Sequence, residues 1–375
     1  MEQTVRKHIV VSAVNLRKGG TLTVLRECLQ YLSGQPNLDV TALVHKRSLC
    51  DFPGIRYVEI PWSIRGWGRR LWCEYVTMHR ISKSLPETDL WLSLHDTTPR
   101  VRAKRQAVYC HTSFPFLKVH GRDFRMDPKI PLFANLTRFA YRIGVHRNRY
   151  LIVQQNWFRE GLASLLHFPA ERIIVAPPHF QPVAIPAKIE KESIPLFFFP
   201  STPDCHKNFE TVCQAAALLE EELGPGRCKV VITVNGSENR YAAWLKKRWG
   251  HVSSIDFHGF MSKEELSQYY GLTACLVFPS RVETWGLPIS EFMPTGKPML
   301  LADLPYAHET AAGAGCVAFF PPEDASVLAR HMMAVIRNDR SAFSPVPPQP
   351  VEHPHARDWH ELFSILLNHE STATR

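Results

Sequence analysis

The sequence has no stretch approaching the roughly eighteen uninterrupted apolar residues that a membrane-spanning helix needs. It has no cysteine pair at CxxC spacing. Its nine cysteines stand singly, with Cys110, Cys275 and Cys316 inside apolar runs, which fits reduced thiols in cytoplasm better than disulfides or a zinc site. Internal repeats and low-complexity tracts are missing, and no nucleic-acid-binding motif accompanies the basic residues. The opening residues MEQTVRKHIVVSAVNL lack a small-residue cleavage site, and their short apolar run holds His8 and Asn15, so they predict a first strand rather than a signal peptide. What remains is a soluble or peripheral cytoplasmic protein.

The 375 residues are enough for two domains with separate cores, and a 45% hydrophobic content is ordinary for globular chains. The net charge of +9 implies anionic partners without choosing among phosphorylated small molecules, lipid head groups and nucleic acid.

The most informative stretch is RVETWGLPISEFMPTGKP, residues 281–298, in which Glu283 and Glu291 stand eight positions apart around a Gly-Leu-Pro break. The apolar run before it predicts a buried strand ended by Pro279-Ser280, which puts Glu283 on a loop. Pro288 suits the first turn of a helix, so Glu291 lies near a helix start. The unpaired N–H groups of such a helix, at the carboxyl end of a parallel strand, form a site for an anionic phosphate. Carboxylates on either side can accept hydrogen bonds from hydroxyls.

Elsewhere the pattern alternates strand and helix. A strand over 8–14 leads through Arg17, Lys18, Gly19 and Gly20 into a helix over 21–32, a β-loop-α opening whose glycines either let backbone approach a ligand or simply make a tight turn. Further strands are predicted over 40–44, 55–60, 89–94, 106–110, 150–154 and 173–176. His111 follows the fourth of these, at the end of a strand where an α/β sheet binds ligands, although a lone histidine is more often structural. Between residues 60 and 85, Trp62, Trp67 and Trp72 interleave with Arg65, Arg69, Arg70 and Arg80; an anionic membrane surface and an ordinary core helix with a basic face are both open there. Residues 121–149 are again basic and aromatic and suit an acceptor groove. Five prolines between Pro177 and Pro195 mark a linker. A second series follows, with strands over 196–199, 229–234, 255–258, 274–278 and 299–302, and with His206 and Lys207 at the mouth of a helix over 209–223. The string from Gly313 to Ala318 matches GxGxxA, but Phe319-Phe320-Pro321-Pro322 follows where a helix should, so it reads as a turn. Helices are predicted over 324–336 and 358–367.

Two α/β halves joined by a proline-rich linker predict two Rossmann-like doubly wound domains facing across a cleft. The boundaries are 1–180 for the N-terminal domain, 181–194 for the linker, 195–345 for the second domain and 346–375 for a connector and helix packing back on the first domain. On the residues HKN, FHGFMSKEELSQYYGLTACLVFPS and ETWGLPISEFMPTGKPML, followed by Glu309 and Gly315, the second half resembles the retaining glycosyltransferases of GT-B fold known as family 4, or group 1, including their Glu-x7-Glu motif. The first half resembles them more loosely, through Gly19-Gly20, His111 and the strand order.

The resemblance implies a hexosyltransferase acting from a nucleotide diphosphate sugar onto a saccharide or lipid-linked acceptor, as in surface polysaccharide synthesis; no cofactor and no nucleic-acid partner are expected, and the lack of an Asp-x-Asp triplet predicts metal-independent activity. It implies that Gly19 and Gly20 approach the donor diphosphate or the acceptor and that His111 lies near the reacting carbon. Lys207 would pair with the diphosphate and Glu283 with sugar hydroxyls. The N–H groups around Gly286 and Leu287 would bind sugar and phosphate, and Glu291 the ribose. Many relatives carry an arginine after the first strand of the second domain; here that loop is Pro200-Ser201-Thr202-Pro203-Asp204, leaving Arg17, Lys18 or Arg281 as candidate replacements. No Asp-x-Asp triplet is present to hold a divalent ion. A nucleotide-sugar epimerase would not be expected to carry Glu-x7-Glu. A non-catalytic nucleotide-sugar or polyanion-binding protein of the same fold is the alternative.

Overall fold

A computed structural model describes residues 6–178 and 194–368; the linker read over 181–194 lies outside these except for Ile194. The chain forms two compact units. The first comprises Met1–Thr112, Leu136–His179 and Val351–Arg375, the second Ser113–Asn135 and Phe180–Pro350. The division therefore differs from a single cut near residue 180, because 113–135 groups with the second unit.

The first unit is built on seven parallel strands: β1 (Lys7–Ala13), β2 (Leu38–Val44), β3 (Ile55–Glu59), β4 (Leu90–Ser93), β5 (Arg105–Tyr109), β6 (Tyr150–Val153) and β7 (Ile173–Val175). Their order is β3-β2-β1-β4-β5-β6-β7. Ile9 pairs with Val40 on one side and Leu90 on the other, and Ile9, Val10 and Val11 are all fully buried. Burial on both faces is why these strands read as unbroken apolar runs. The helix Gly19–Ser33 lays Leu22, Leu25, Leu29 and Leu32 onto the sheet, and the helix Trp359–Leu367 adds Leu362, Phe363 and Leu366 to the same core.

The second unit carries six strands, β8 (Leu196–Phe199), β9 (Lys229–Ile232), β10 (Ile255–Phe257), β11 (Cys275–Phe278), β12 (Met299–Ala302) and β13 (Val317–Phe320), in the order β10-β9-β8-β11-β12-β13. Here the sequence reading needs correction, since the GxGxxA string is not wholly a turn. Its last two residues open β13, which pairs along β12 from Met299↔Val317 to Ala302↔Phe320.

The segment read as one Trp/Arg helix also differs. It is a 3-10 turn (Pro61–Ile64), a short helix (Trp67–Trp72), a π-helical turn (Cys73–Thr77) and a helix (Met78–Ser84). Trp67, Leu71 and Trp72 are exposed, as are Arg65 and Arg69. Arg70 leaves the basic face, because its guanidinium turns inward to the buried Glu74 carboxylate one helical turn on.

Candidate active site

In both sheets the chain winds outward in one direction and then in the other. The reversal falls between β1 and β4 in the first unit and between β8 and β11 in the second. Loops leaving the carboxyl ends of the two strands at such a point diverge and leave a crevice, where open α/β sheets bind ligands.

In the second unit these two loops carry Lys207 and Glu283. The loop after β8 closes in a 3-10 turn, Cys205–Lys207, and Asn208 takes a left-handed φ of 63° before the helix Phe209–Leu223. Asn208 tolerates this conformation while its amide donates to the Pro279 and Pro322 carbonyls. The turn thus aims Lys207 at the loop after β11, where its Nζ lies 2.5 Å from Glu283 Oε1. Their side chains are only 16% and 14% exposed, so the attraction is less screened than in a surface pair.

Beyond Glu283, Gly286 has φ 89°, and a Cβ there would lie 3.2 Å from Ile289 Cδ1 and 3.4 Å from Phe278 Cε1. Only glycine fits both the conformation and the space. The chain then enters the helix Leu287–Phe292 with Pro288 in its first turn. Glu291 accepts the Tyr270 phenol at 2.7 Å. Burial, followed by the Glu291 charge, drives the Tyr270 pKa well above its ordinary value, so the phenol stays a donor. Tyr270 was not picked out from the sequence. Its partner lies on a different element, and no local spacing links them.

Arg281, one of the candidate replacements for the absent arginine, is not available for that role. It is 8% exposed, and its NH2 and NH1 contact the two Asp123 carboxylate oxygens at 2.6 and 3.1 Å. Arg17 and Lys18 are exposed, in the first unit.

Gly19, Gly20 and His111 also belong to the first unit, after the carboxyl ends of β1 and β5. Gly19 has φ 63° and opens a 15-residue helix with no side-chain cap and no acidic residue in its first turn, so its positive dipole end is not offset by the helix's own residues. His111 stacks on Tyr109 with ring centroids 4.4 Å apart, and its Nε2 is buried with no hydrogen-bond partner among the described residues. Burial lowers the His111 pKa, so the ring is neutral near pH 7. The loop carrying it is tied by Asp96, a residue at φ 70°, whose carboxylate accepts the His111 N–H (2.5 Å), the Thr112 N–H (3.0 Å) and the Tyr141 hydroxyl (2.9 Å). An aspartate two residues past the predicted strand over 89–94 was the available signal for this role.

Among the described residues no group of three or more His, Cys, Asp or Glu is arranged to hold a metal ion. All nine cysteines are free thiols.

Residues 184–345 match the family of glycosyl transferases group 1. An O-antigen chain mannosyltransferase B from Escherichia coli is 24% identical over 203 residues, which cover 51% of this chain and 52% of the relative, so the chain spans about half the length of that curated relative. Among solved structures, sucrose-phosphate synthase (tll1590) from Thermosynechococcus elongatus is 16% identical with a TM-score of 0.61, covering 89% of this chain and 90% of its own. Alr3699/HepE from Anabaena, solved in complex with UDP-glucose, is 13% identical with a TM-score of 0.59, covering 88% and 90%. These likenesses show the fold, two Rossmann-like α/β units of the GT-B type. The group 1 match spans β8 to β13, including Lys207, Glu283, Gly286, Leu287 and Glu291.

Proposed function

We propose that the protein is a retaining, metal-independent glycosyltransferase. It would move a hexose from a nucleotide diphosphate sugar to a saccharide or lipid-linked saccharide in surface polysaccharide synthesis, at the cytoplasmic face of the membrane. The observation that carries this reading is the Lys207–Glu283 pair at the switch point of the second sheet, inside the segment matching group 1 glycosyl transferases. The mannosyltransferase likeness supports a saccharide acceptor and the UDP-glucose complex of HepE supports a nucleotide-sugar donor.

In this reading the diphosphate takes over the Lys207 ammonium from Glu283, and Glu283 turns to the sugar hydroxyls. Negative charge grows on the diphosphate as the sugar bond breaks. Lys207 and the N–H groups at Gly286 and Leu287 sit where that charge develops, and fixed donors there lower the barrier without reorganising. Glu291 holds the ribose. For Gly19, Gly20 and His111, in the first unit, this reading keeps the roles that the family resemblance implies. Retention follows if the incoming hydroxyl arrives on the face from which the phosphate leaves.

A peripheral contact with anionic lipid is supported by two exposed apolar faces. One is Trp67, Leu71 and Trp72 beside Arg65 and Arg69; the other is Leu132, Leu136 and Phe139 along the helix Lys129–Arg142, with Ile143 just past its end, bordered by Lys129 and Arg142. Apolar side chains rimmed by cations suit a head-group interface.

A panel of nucleotide sugars with lipid-linked and free saccharide acceptors, assayed with and without chelator and followed by anomer analysis of the product, tests the reading. Transfer with retention, unaffected by chelator, is the expected result. Donor binding without transfer or hydrolysis across the panel favours a non-catalytic nucleotide-sugar-binding protein. Failure to sediment with anionic vesicles at low salt removes the membrane part.

A further inference from the structure

We infer that Arg281 and Asp123 are positioning residues that hold Lys207 and Glu283 in register, an assignment that rests on reading that pair as the donor site. Arg281 lies two residues before Glu283, and its bonds stitch three segments together. Its backbone N–H donates to the His206 carbonyl at 2.8 Å, and its NH2 donates to the Cys205 carbonyl at 3.0 Å. Both acceptors belong to the turn that presents Lys207. The third segment is 113–135, which supplies Asp123 as a two-pronged partner to the guanidinium.

Asp123 is fully buried and also accepts the His120 N–H at 2.9 Å. Burial alone would raise its pKa, but the bonds from Arg281 and the His120 N–H hold it below the usual carboxylate range. Two further contacts tie the same segment to the rest of the second unit, His120 Nε2 to Glu323 at 2.7 Å and the Arg122 guanidinium to Glu210 at 3.0 Å. A planar guanidinium can serve a carboxylate with two parallel bonds and still reach a carbonyl, whereas a lysine ammonium is a single point of charge. The Arg281 side chain therefore fixes the spacing between the turn at 205–207 and the loop at 281–283, and with it the approach of Lys207 to Glu283.

The test compares Arg281→Lys, Asp123→Asn and the double variant with wild type, using Arg337→Ala, from an exposed pair with Glu222, as control. Thermal midpoint, affinity for UDP, GDP and ADP by calorimetry, and kcat and KM for the donor that wild type uses are measured at a temperature where every variant is folded. Each single variant is expected to weaken binding of the preferred nucleoside diphosphate by about fivefold and to lower kcat/KM by about tenfold or more. The double variant should be no worse than the poorer single one, because residues acting as a unit are not additive. Folded variants that keep affinity and kcat/KM within about twofold of wild type while melting earlier would overturn the assignment and leave the pair a stabilising contact.

If the single variants do not fold, Arg281→Met with Asp123→Leu removes both charges while keeping bulk, a replacement that buried ion pairs often tolerate. That protein should fold and still bind poorly; wild-type affinity in it overturns the inference. A wild type that binds none of the three nucleotides overturns the donor-site reading itself, and this assignment with it.

Discussion

Tyr270 donates its phenolic hydrogen to Glu291 Oε2 at 2.7 Å, so the second glutamate of the motif meets any ligand with one oxygen already engaged and its orientation set. Removing that hydroxyl with Tyr270→Phe frees the carboxylate to rotate. A neutral-to-charged hydrogen bond of this kind is worth about 1.5 kcal/mol, so affinity for the preferred nucleoside diphosphate should fall roughly tenfold while the fold persists. Calorimetry with matched ribo- and 2′-deoxyribonucleotides checks it. An unchanged affinity for both would remove Glu291 from the ribose.

Lys207→Ala and Glu283→Gln should each reduce turnover by at least about tenfold, roughly 1.4 kcal/mol of barrier. Because the two side chains are hydrogen-bonded to one another, the double variant should lose less than the product of the single losses. Steady-state kinetics on all three proteins decides it, and near-normal rates in both single variants would sink the site assignment.

Gly286→Ala should lower the thermal midpoint, since the new methyl meets Ile289 and Phe278 in a backbone conformation that L side chains rarely adopt. Strain of this kind costs about 1–3 kcal/mol. A melting curve superimposable on wild type would show that the loop relaxes freely.

Acidification should destabilise the protein well before its carboxylates protonate. Burial lowers the pKa of His95, His111 and His206 below the ordinary imidazole value, so all three are neutral in the native state at pH 7. Unfolded histidines take up protons near pH 6.5. Between about that pH and the lower native values the unfolded chain binds more protons, and stability falls as pH falls. Denaturant midpoints should therefore decline from about pH 7.5 to 5.5, less steeply in His95→Gln. A flat profile over that range would contradict the burial of these rings.

Most strands were legible because sheets covered on both faces demand apolar runs such as HIVVSA and LFFF, which turn residues bracket. β13 was not, because Gly313 and Gly315 before it and Pro321-Pro322 directly after it read as punctuation around a strand of only four residues. Around the candidate site, Glu283, Gly286 and Glu291 were visible together since a loop and helix start place them within nine residues. The engagement of Arg281, one of three candidate replacements for the absent arginine, was hidden for the opposite reason. Its partner stands 158 residues upstream, in a segment that belongs with the other half of the sequence by position alone. Arg70 is an intermediate case, as its spacing to Glu74 permits the inward turn but does not say that the carboxylate is buried.

The core of the first unit includes Leu362, Phe363 and Leu366, which touch the helix Gly19–Ser33 through contacts such as the stacked Tyr31 and Phe363 rings, 5.5 Å apart. On the ribosome those residues emerge only after every strand of the second unit. Until they are made, that apolar face of the helix has no cover, so this half closes its core later in synthesis than its downstream neighbour can complete its sheet, against the N-terminal-first order of domain folding.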